Sequence, residues 1–152
     1  MKKLLIPCML VILSFTSSSA LALGSGREFG AGIVLGEPSG VLGQFFMTRK
    51  ALLDVTAAWS FDKWFMITTD YQVYNNIANA PIEWLWYYGG GAYVALPENE
   101  QGILGVRVPL GISYSFPHSF IDVWAEIDPA LRLLPDTTPD LQGGIGVTLW
   151  LK

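Results

Sequence analysis

The sequence predicts an all-β protein: an eight-stranded antiparallel up-and-down β-barrel preceded by a cleavable signal peptide. Three observations predict it. Apolar and polar residues alternate with a period of two over most of the chain after residue 22, the period at which strand side chains change face. Turn-forming clusters interrupt that alternation at short, regular intervals. Although the chain is 51 % hydrophobic, no segment after residue 22 reaches the roughly 18 uninterrupted apolar residues of a membrane-spanning helix.

The N-terminal segment is of a different kind. Lys2 and Lys3 form a basic start, Leu4 to Leu13 an apolar core, and Ala20-Leu21-Ala22 a small-x-small cleavage pattern. Residues 1–22 therefore read as a signal peptide and residues 23–152 as one barrel domain. Pro7 and the run Ser17 to Ser19 argue against a retained anchor helix. Cys8, the one cysteine of the chain, lies inside the apolar core with no lipoprotein motif around it. An exported chain without cysteine must hold itself by packing and strand pairing. Losing Lys2 and Lys3 leaves seven basic residues against 13 acidic ones, a net charge of −6, which argues against a nucleic-acid partner.

Eight extended segments follow in order. FGAGIVLGEPSGVLGQFFM, from Phe29, supplies two strands of about seven residues around a Gly-Glu-Pro-Ser-Gly turn. ALLDVTAAWSF and WFMITTDYQVY are separated by Asp62-Lys63, and NNIANAP leads on to IEWLWYYGGGAYVAL. GILGVRVPLGISYSF is the sixth segment and SFIDVWAEIDPAL the seventh, with a tight turn at Pro117-His118. LeuProAspThrThrProAsp then leads into LQGGIGVTLWL.

Which face points inward decides the class of protein. In FIDVWAEIDP, Ile121, Val123, Ala125 and Ile127 share one face, and Asp122, Trp124, Glu126 and Asp128 the other. Leu53, Val55, Ile67, Val106, Val108, Leu110, Ile145 and Val147 extend the aliphatic face, while Asp54, Arg107 and Thr148 fall on the opposite one. A half-buried soluble sheet alternates in the same way. Two features favour a barrel with its aliphatic face in lipid. The polar face carries Gly, Ala, Ser, Thr and isolated charges rather than Lys and Glu, as a narrow lumen requires. Aromatic residues also gather at strand ends. Trp59, Phe61 and Phe65 lie toward one rim, and Tyr71, Trp84, Trp86, Tyr114, Phe116 and Phe120 toward the other, in the manner of membrane-barrel girdles.

Turn lengths convert the alternation into a register. A three-residue Thr48-Arg49-Lys50 turn sets Gln44 opposite Asp54, and a three-residue Phe61-Asp62-Lys63 turn sets Asp54 opposite Asp70. A two-residue Pro117-His118 turn sets Arg107 opposite Asp128, with Glu126 diagonal to it. The expected lumen network is therefore Arg107, Glu126 and Asp128 on one side and Asp54, Asp70 and Gln44 on the other.

FGAGIVLGEPSG, YYGGGAYV, GVRVPLGISYSF and the closing GGIGV, together with the pairs Arg107-Val108-Pro109 and Glu126-Ile127-Asp128-Pro129, resemble a bacterial family of small outer-membrane-like β-barrel proteins of largely unassigned function. The resemblance covers nearly all of residues 23–152. It implies the eight-stranded OmpA/OmpX-type architecture, contact with outer-membrane lipid, insertion by the barrel-assembly machinery and a monomeric state. The chain departs from similar proteins at Gln44, where a Lys is frequent, and at its Trp150-Leu151-Lys152 ending, where an aromatic residue is usual.

Chemistry-bearing constellations are few. The single histidine, His118, falls in a tight turn without a carboxylate to orient it. Asp54 and Asp70 could share a proton as paired acids do, but an eight-stranded lumen is barely wide enough for its own side chains. There is no His/Cys cluster for a metal, and Glu98 and Glu100 read as a solvated loop tip. The expectation is a non-enzymatic structural outer-membrane barrel with no cofactor and no metal. The alternatives are a soluble periplasmic barrel binding an apolar ligand, with its aliphatic and aromatic face turned inward, and a lipid-modifying outer-membrane enzyme.

Overall fold

The computed structural model describes residues 27–59, 64–98 and 100–151. The signal peptide read at residues 1–22 and the turn read at Phe61-Asp62-Lys63 lie outside these. The described residues form nine strands: β1 (Phe29–Glu37), β2 (Ser39–Phe46), β3 (Ala51–Trp59), β4 (Trp64–Asn76), β5 (Trp84–Pro97), β6 (Ile103–Arg107), β7 (Leu110–Ser115), β8 (Ile121–Leu134) and β9 (Thr138–Leu151). Every pairing is antiparallel. β1 pairs β9 from Phe29↔Leu151 to Glu37↔Gly143, which closes the sheet into a ring without an edge.

Nine strands make eight staves, because β6 and β7 are two halves of the sixth. Both lie between β5 and β8. The break falls at Val108-Pro109, where Pro109 has no N–H to give and neither has Pro129 on the neighbouring stave. The stave remains tied through Val108 N–H to the Pro129 carbonyl and Gly89 N–H to the Pro109 carbonyl, both 2.9 Å.

Two register expectations hold: Gln44 opposes Asp54 and Asp54 opposes Asp70. The Pro117-His118 register is corrected by two residues. Leu110 opposes Ile127, Ile112 opposes Ala125 and Arg107 opposes Ala130. The turn is longer than two residues, closed by Phe116 N–H to the Ile121 carbonyl and Ser119 N–H to the Phe116 carbonyl, each 3.1 Å. Pro117 takes its second position and His118 its third, with φ 60°, the positive φ a type II turn needs there. A slip of two preserves the faces, whereas a slip of one would reverse them. Strand lengths are also corrected. β1 and β2 reach nine and eight residues, because their pairing runs up to a turn in which the Gly36 amide donates to Ser39 Oγ. β8 and β9 absorb most of the expected loop, pairing as far as Arg132↔Thr138.

The aliphatic face lies outside. Leu35, Val108 and Ile145 are 58 %, 48 % and 61 % exposed, and Val55, Ile67, Val106, Leu110 and Val147 are exposed with them. Trp59 opposes Phe65 at one rim. Trp84, Tyr114 and Phe116 form a ring-to-ring chain at the other, with centroids 5.0 and 5.1 Å apart. The core is the lumen. Toward the rim where both chain ends lie, Phe46, Tyr74, Tyr87 and Trp150 stack across it at 4.7–6.1 Å. Toward the far rim, Met66, Tyr93, Ala95 and Ala130 pack together with Trp64 and Ile103.

Glycines make this filling possible. Tyr93, Tyr87 and Trp124 each oppose a glycine in register, Gly105, Gly111 and Gly146. Each inward ring lies over its glycine, so that a Cβ there would run into the ring. Gly90, on the outer face of β5, has no atom within 4 Å of the position a Cβ would take. Gly111→Ala is therefore expected to cost about 1–3 kcal/mol through overpacking against Tyr87, and Gly90→Ala to leave stability unchanged. Urea unfolding of refolded protein in detergent micelles checks the pair.

Candidate functional site

Between the two aromatic layers the lumen holds its polar residues, each placed by strand alternation. One in-register row runs Gln44, Asp54, Asp70, Gly91, Arg107 across β2 to β6. Asp70 and Arg107 thus stand two staves apart with a glycine between them. A Cβ on Gly91 would sit 2.8 Å from Asp70 Cγ, so the missing side chain is what lets the two groups meet over β5.

Arg107 is the hub. Its Nε donates to Asp70 Oδ1 at 2.9 Å and Oδ2 at 3.1 Å, and its Nη2 donates to Asp70 Oδ2 as well. Nη1 donates to Asp128 Oδ2 at 3.3 Å and to Gln142 Oε1 at 3.4 Å, and Nη2 lies 3.7 Å from Glu126 Oε1. The planar guanidinium suits this role, since its five donors serve several acceptors at once. Gln72 Nε2 donates to Glu126 Oε2 at 3.1 Å and Tyr74 Oη to Gln72 Oε1 at 3.3 Å, which joins the hub to the aromatic layer.

A second chain fills the other side. Trp124 Nε1 donates to Thr148 Oγ1 (3.1 Å), Thr148 Oγ1 to Gln44 Oε1 (3.0 Å) and Gln44 Nε2 to Asp54 Oδ2 (2.9 Å). Thr56 Oγ1 completes it by donating to Asp54 Oδ1 at 2.8 Å. A third group closes the rim at the chain ends. There Arg27 Nη1 donates to Asp122 Oδ1 at 3.0 Å and Ser115 Oγ at 3.2 Å, while Trp150 Nε1 donates to Asp122 Oδ2 at 2.7 Å.

Arg107, Glu126, Asp128 and Asp70 are therefore brought together, and Gln44 and Asp54 belong to the adjoining chain. Asp54 and Asp70 oppose one another in register, yet each carboxylate is engaged elsewhere, Asp54 by Gln44 and Thr56 and Asp70 by Arg107. Sequence reasoning missed the Asp70–Arg107 pairing, which needs the register across NNIANAP. It also missed Gln72, Gln142 and the Arg27 closure. The inward position of Gly91 was the available signal. His118 is exposed in its turn, away from the lumen groups. Thr68 Oγ1 and Asp128 Oδ1 are buried without a hydrogen-bond partner. Both residues line a lumen cavity of about 30 Å³, the volume of roughly one water molecule. Among the described residues, no group of three or more His, Cys, Asp or Glu could hold a metal ion.

No protein-family model and no curated protein matches the sequence. Among solved structures, the chain is similar to the N-terminal β-barrel domain of Pseudomonas aeruginosa OprF, with a TM-score of 0.61 and 14 % identity, over 80 % of this chain and 93 % of that one. At that identity the likeness concerns the fold: a closed, all-β antiparallel barrel.

Removing Arg107 leaves buried carboxylates without their cation, a change that costs roughly 3–5 kcal/mol at buried sites. Arg107→Ala is expected to lower the urea midpoint far more than Arg49→Ala in the exposed β2–β3 turn. Arg107→Met combined with Asp70→Asn and Asp128→Asn is expected to recover most of the loss. Gly91→Ala should weaken the same pair without touching a charge. Equilibrium unfolding of the four variants beside wild type is the measurement, and equal midpoints for wild type and Arg107→Ala would remove the hub from the argument.

Proposed function

We propose that this protein is a structural outer-membrane β-barrel without enzymatic activity, whose lumen is sealed by its own side chains. One observation carries the reading, the inverted sidedness of the barrel. Its polar residues are buried in the lumen, with Asp70 and Thr148 at 0 % exposure, while its outer wall is predominantly aliphatic and aromatic, with Trp59 and Phe65 toward one rim and Trp84, Tyr114 and Phe116 toward the other. Soluble monomers rarely expose apolar patches beyond a few hundred Å², and a closed ring with an apolar exterior is the β solution to a bilayer. The aliphatic face does not line an interior, so the soluble barrel with an apolar ligand inside it loses its premise.

Against an enzyme stands the engagement of the acids. Asp54, Asp70, Glu126 and Asp128 are held by side-chain partners within the lumen, where a substrate has no room to reach them. The partners expected are outer-membrane lipid and, during insertion, the barrel-assembly machinery. The protein acts as a monomer and needs no cofactor. Fractionation tests the location: the protein is expected to remain with outer membranes after a carbonate wash, and its release would refute the reading. Planar-bilayer recordings of purified protein test the seal. They are expected to show no steady, large conductance, whereas a porin-like single-channel current would show that the layers around Tyr87 and Arg107 do not close the lumen.

A further inference from the structure

We propose that Arg27 latches the seam between β1 and β9, and that this seam is where the barrel opens first. The inference rests on the closed ring and holds whether or not the barrel lies in a membrane. Among the described strands, every other pair of neighbouring staves is consecutive in the chain. β1 and β9 are joined by pairing alone, from Phe29↔Leu151 to Glu37↔Gly143. At the Phe29↔Leu151 end the two strands run out side by side with no hairpin to hold them. Paired segments open from such ends, so the seam frays there unless side chains hold it.

β1 itself brings little to the task. Alternation turns Gly30, Gly32, Val34 and Gly36 toward the lumen, and three of the four are glycines. They face Trp150, Thr148, Gly146 and Gly144 on β9, so no pair of large side chains interlocks across the inner face of the seam. β1 is instead crossed over. Gln44 Oε1 on β2 accepts from Thr148 Oγ1 on β9 at 3.0 Å, and Phe46 on β2 packs on Trp150 on β9 with centroids 5.0 Å apart. A Cβ on Gly30 would fall 2.7 Å from Thr148 Cγ2, so the glycine lets β2 and β9 meet over it.

At the open end of the seam the crossing is made by Arg27. This residue precedes β1, and the Glu28 carbonyl beside it accepts from Phe46 N–H on β2 at 3.2 Å. The Arg27 side chain passes β9 and reaches the stave beyond. Nη1 donates to Asp122 Oδ1 on β8 at 3.0 Å and to Ser115 Oγ on β7 at 3.2 Å. Nη2 donates to the Ser119 carbonyl in the turn between them at 3.0 Å. Asp122 Oδ2 accepts from Trp150 Nε1 on β9 at 2.7 Å. One carboxylate thus gathers the residue before β1, the last strand and the stave beside it. The side chains of the pair are 23 % and 11 % exposed, so its charges are screened less than those of a surface pair. Arg27 and Asp122 stand 95 residues apart in sequence, and they meet only when β1 lies against β9. The contact is lost when the seam parts and forms again when it closes, while the pairings from β2 to β8 are untouched.

Hydrogen–deuterium exchange of the full chain refolded in detergent micelles, read by mass spectrometry, tests the latch, because amide exchange reports local opening strand by strand. Arg27→Ala is expected to speed exchange of Phe29–Val34 and Val147–Leu151 about tenfold, the factor one charge-assisted hydrogen bond is worth. Ala51–Trp59 and Trp64–Asn76 are expected to keep the wild-type rate. Arg49→Ala, in the β2–β3 turn at the same rim, is expected to change neither set. Asp122→Asn keeps an acceptor in place and removes the charge, and it is expected to speed the same two segments if Arg27→Ala refolds poorly. Ala31 and Leu149 oppose one another across the seam. With Ala31→Cys and Leu149→Cys oxidised to a disulfide in a Cys8→Ser background, Arg27→Ala is expected to lose its effect, because the seam no longer depends on the latch. A rise of equal size in every strand would overturn the proposal, since Arg27 would then support the whole barrel and not the seam. Unchanged exchange at the seam in both Arg27→Ala and Asp122→Asn would overturn it as well.

Discussion

Arg107 and Asp70 meet across a glycine. Their staves are separated by β5, and only because Gly91 offers no side chain can the guanidinium and the carboxylate close over it. Much of the interior depends on that contact. With Asp70 engaged, the remaining donors of Arg107 reach Asp128 and Glu126 on the neighbouring β8 and Gln142 on β9, and Glu126 passes the connection across the lumen to Gln72 and Tyr74. One cation in a narrow lumen thereby ties β4, β6, β8 and β9 together. A buried charge with several partners also disfavours any other strand register, because a shift of one stave would strand it among groups it cannot satisfy.

The same narrowness explains the composition. A ring of eight staves encloses a space that its own side chains fill, so each large inward residue needs a vacancy beside it. The Tyr93–Gly105, Tyr87–Gly111 and Trp124–Gly146 pairs supply those vacancies across neighbouring strands. Glycine and aromatic residue are therefore two halves of one packing unit, and the glycine-rich strands carry as much of the core as the aromatic ones. The outer wall obeys a different rule. It needs only to be apolar and of the right height, and there large aliphatic and aromatic residues stand beside small ones such as Ala57 and Gly90 without a packing rule.

Much of this was legible in the sequence, for physical reasons that can be named. Period-two alternation assigns the faces regardless of register, so Val106 and Arg107 could be sent to opposite sides from local pattern alone. The Thr48-Arg49-Lys50 turn fixes Gln44 against Asp54 because a loop of odd length keeps the faces in phase. The Pro117-His118 register was not legible to better than two residues. Phase permits any even slip, and the closing hydrogen bonds of Phe116 that choose among them are not a property of the local sequence. The Asp70–Arg107 pair depends on the NNIANAP connection, whose length in pairs cannot be counted from its residues. The interruption at Pro109 could be read as a missing donor, but that it leaves one stave in two pieces follows from Pro129 lying on the next stave at the same height.

These constraints also locate where function can reside. The lumen is spent on holding itself closed, since Asp54, Asp70, Glu126 and Asp128 are each committed to partners within it. The described connections are short, with three residues between Leu134 and Thr138 and seven between Asn76 and Trp84. What remains is the wall. That wall is not uniformly bulky, for Ala57, Gly90, Ala92 and Ala125 all lie on it among larger residues. Strand alternation sends these small residues away from the lumen, so the outer wall can vary in bulk where the interior, filled ring against glycine, cannot.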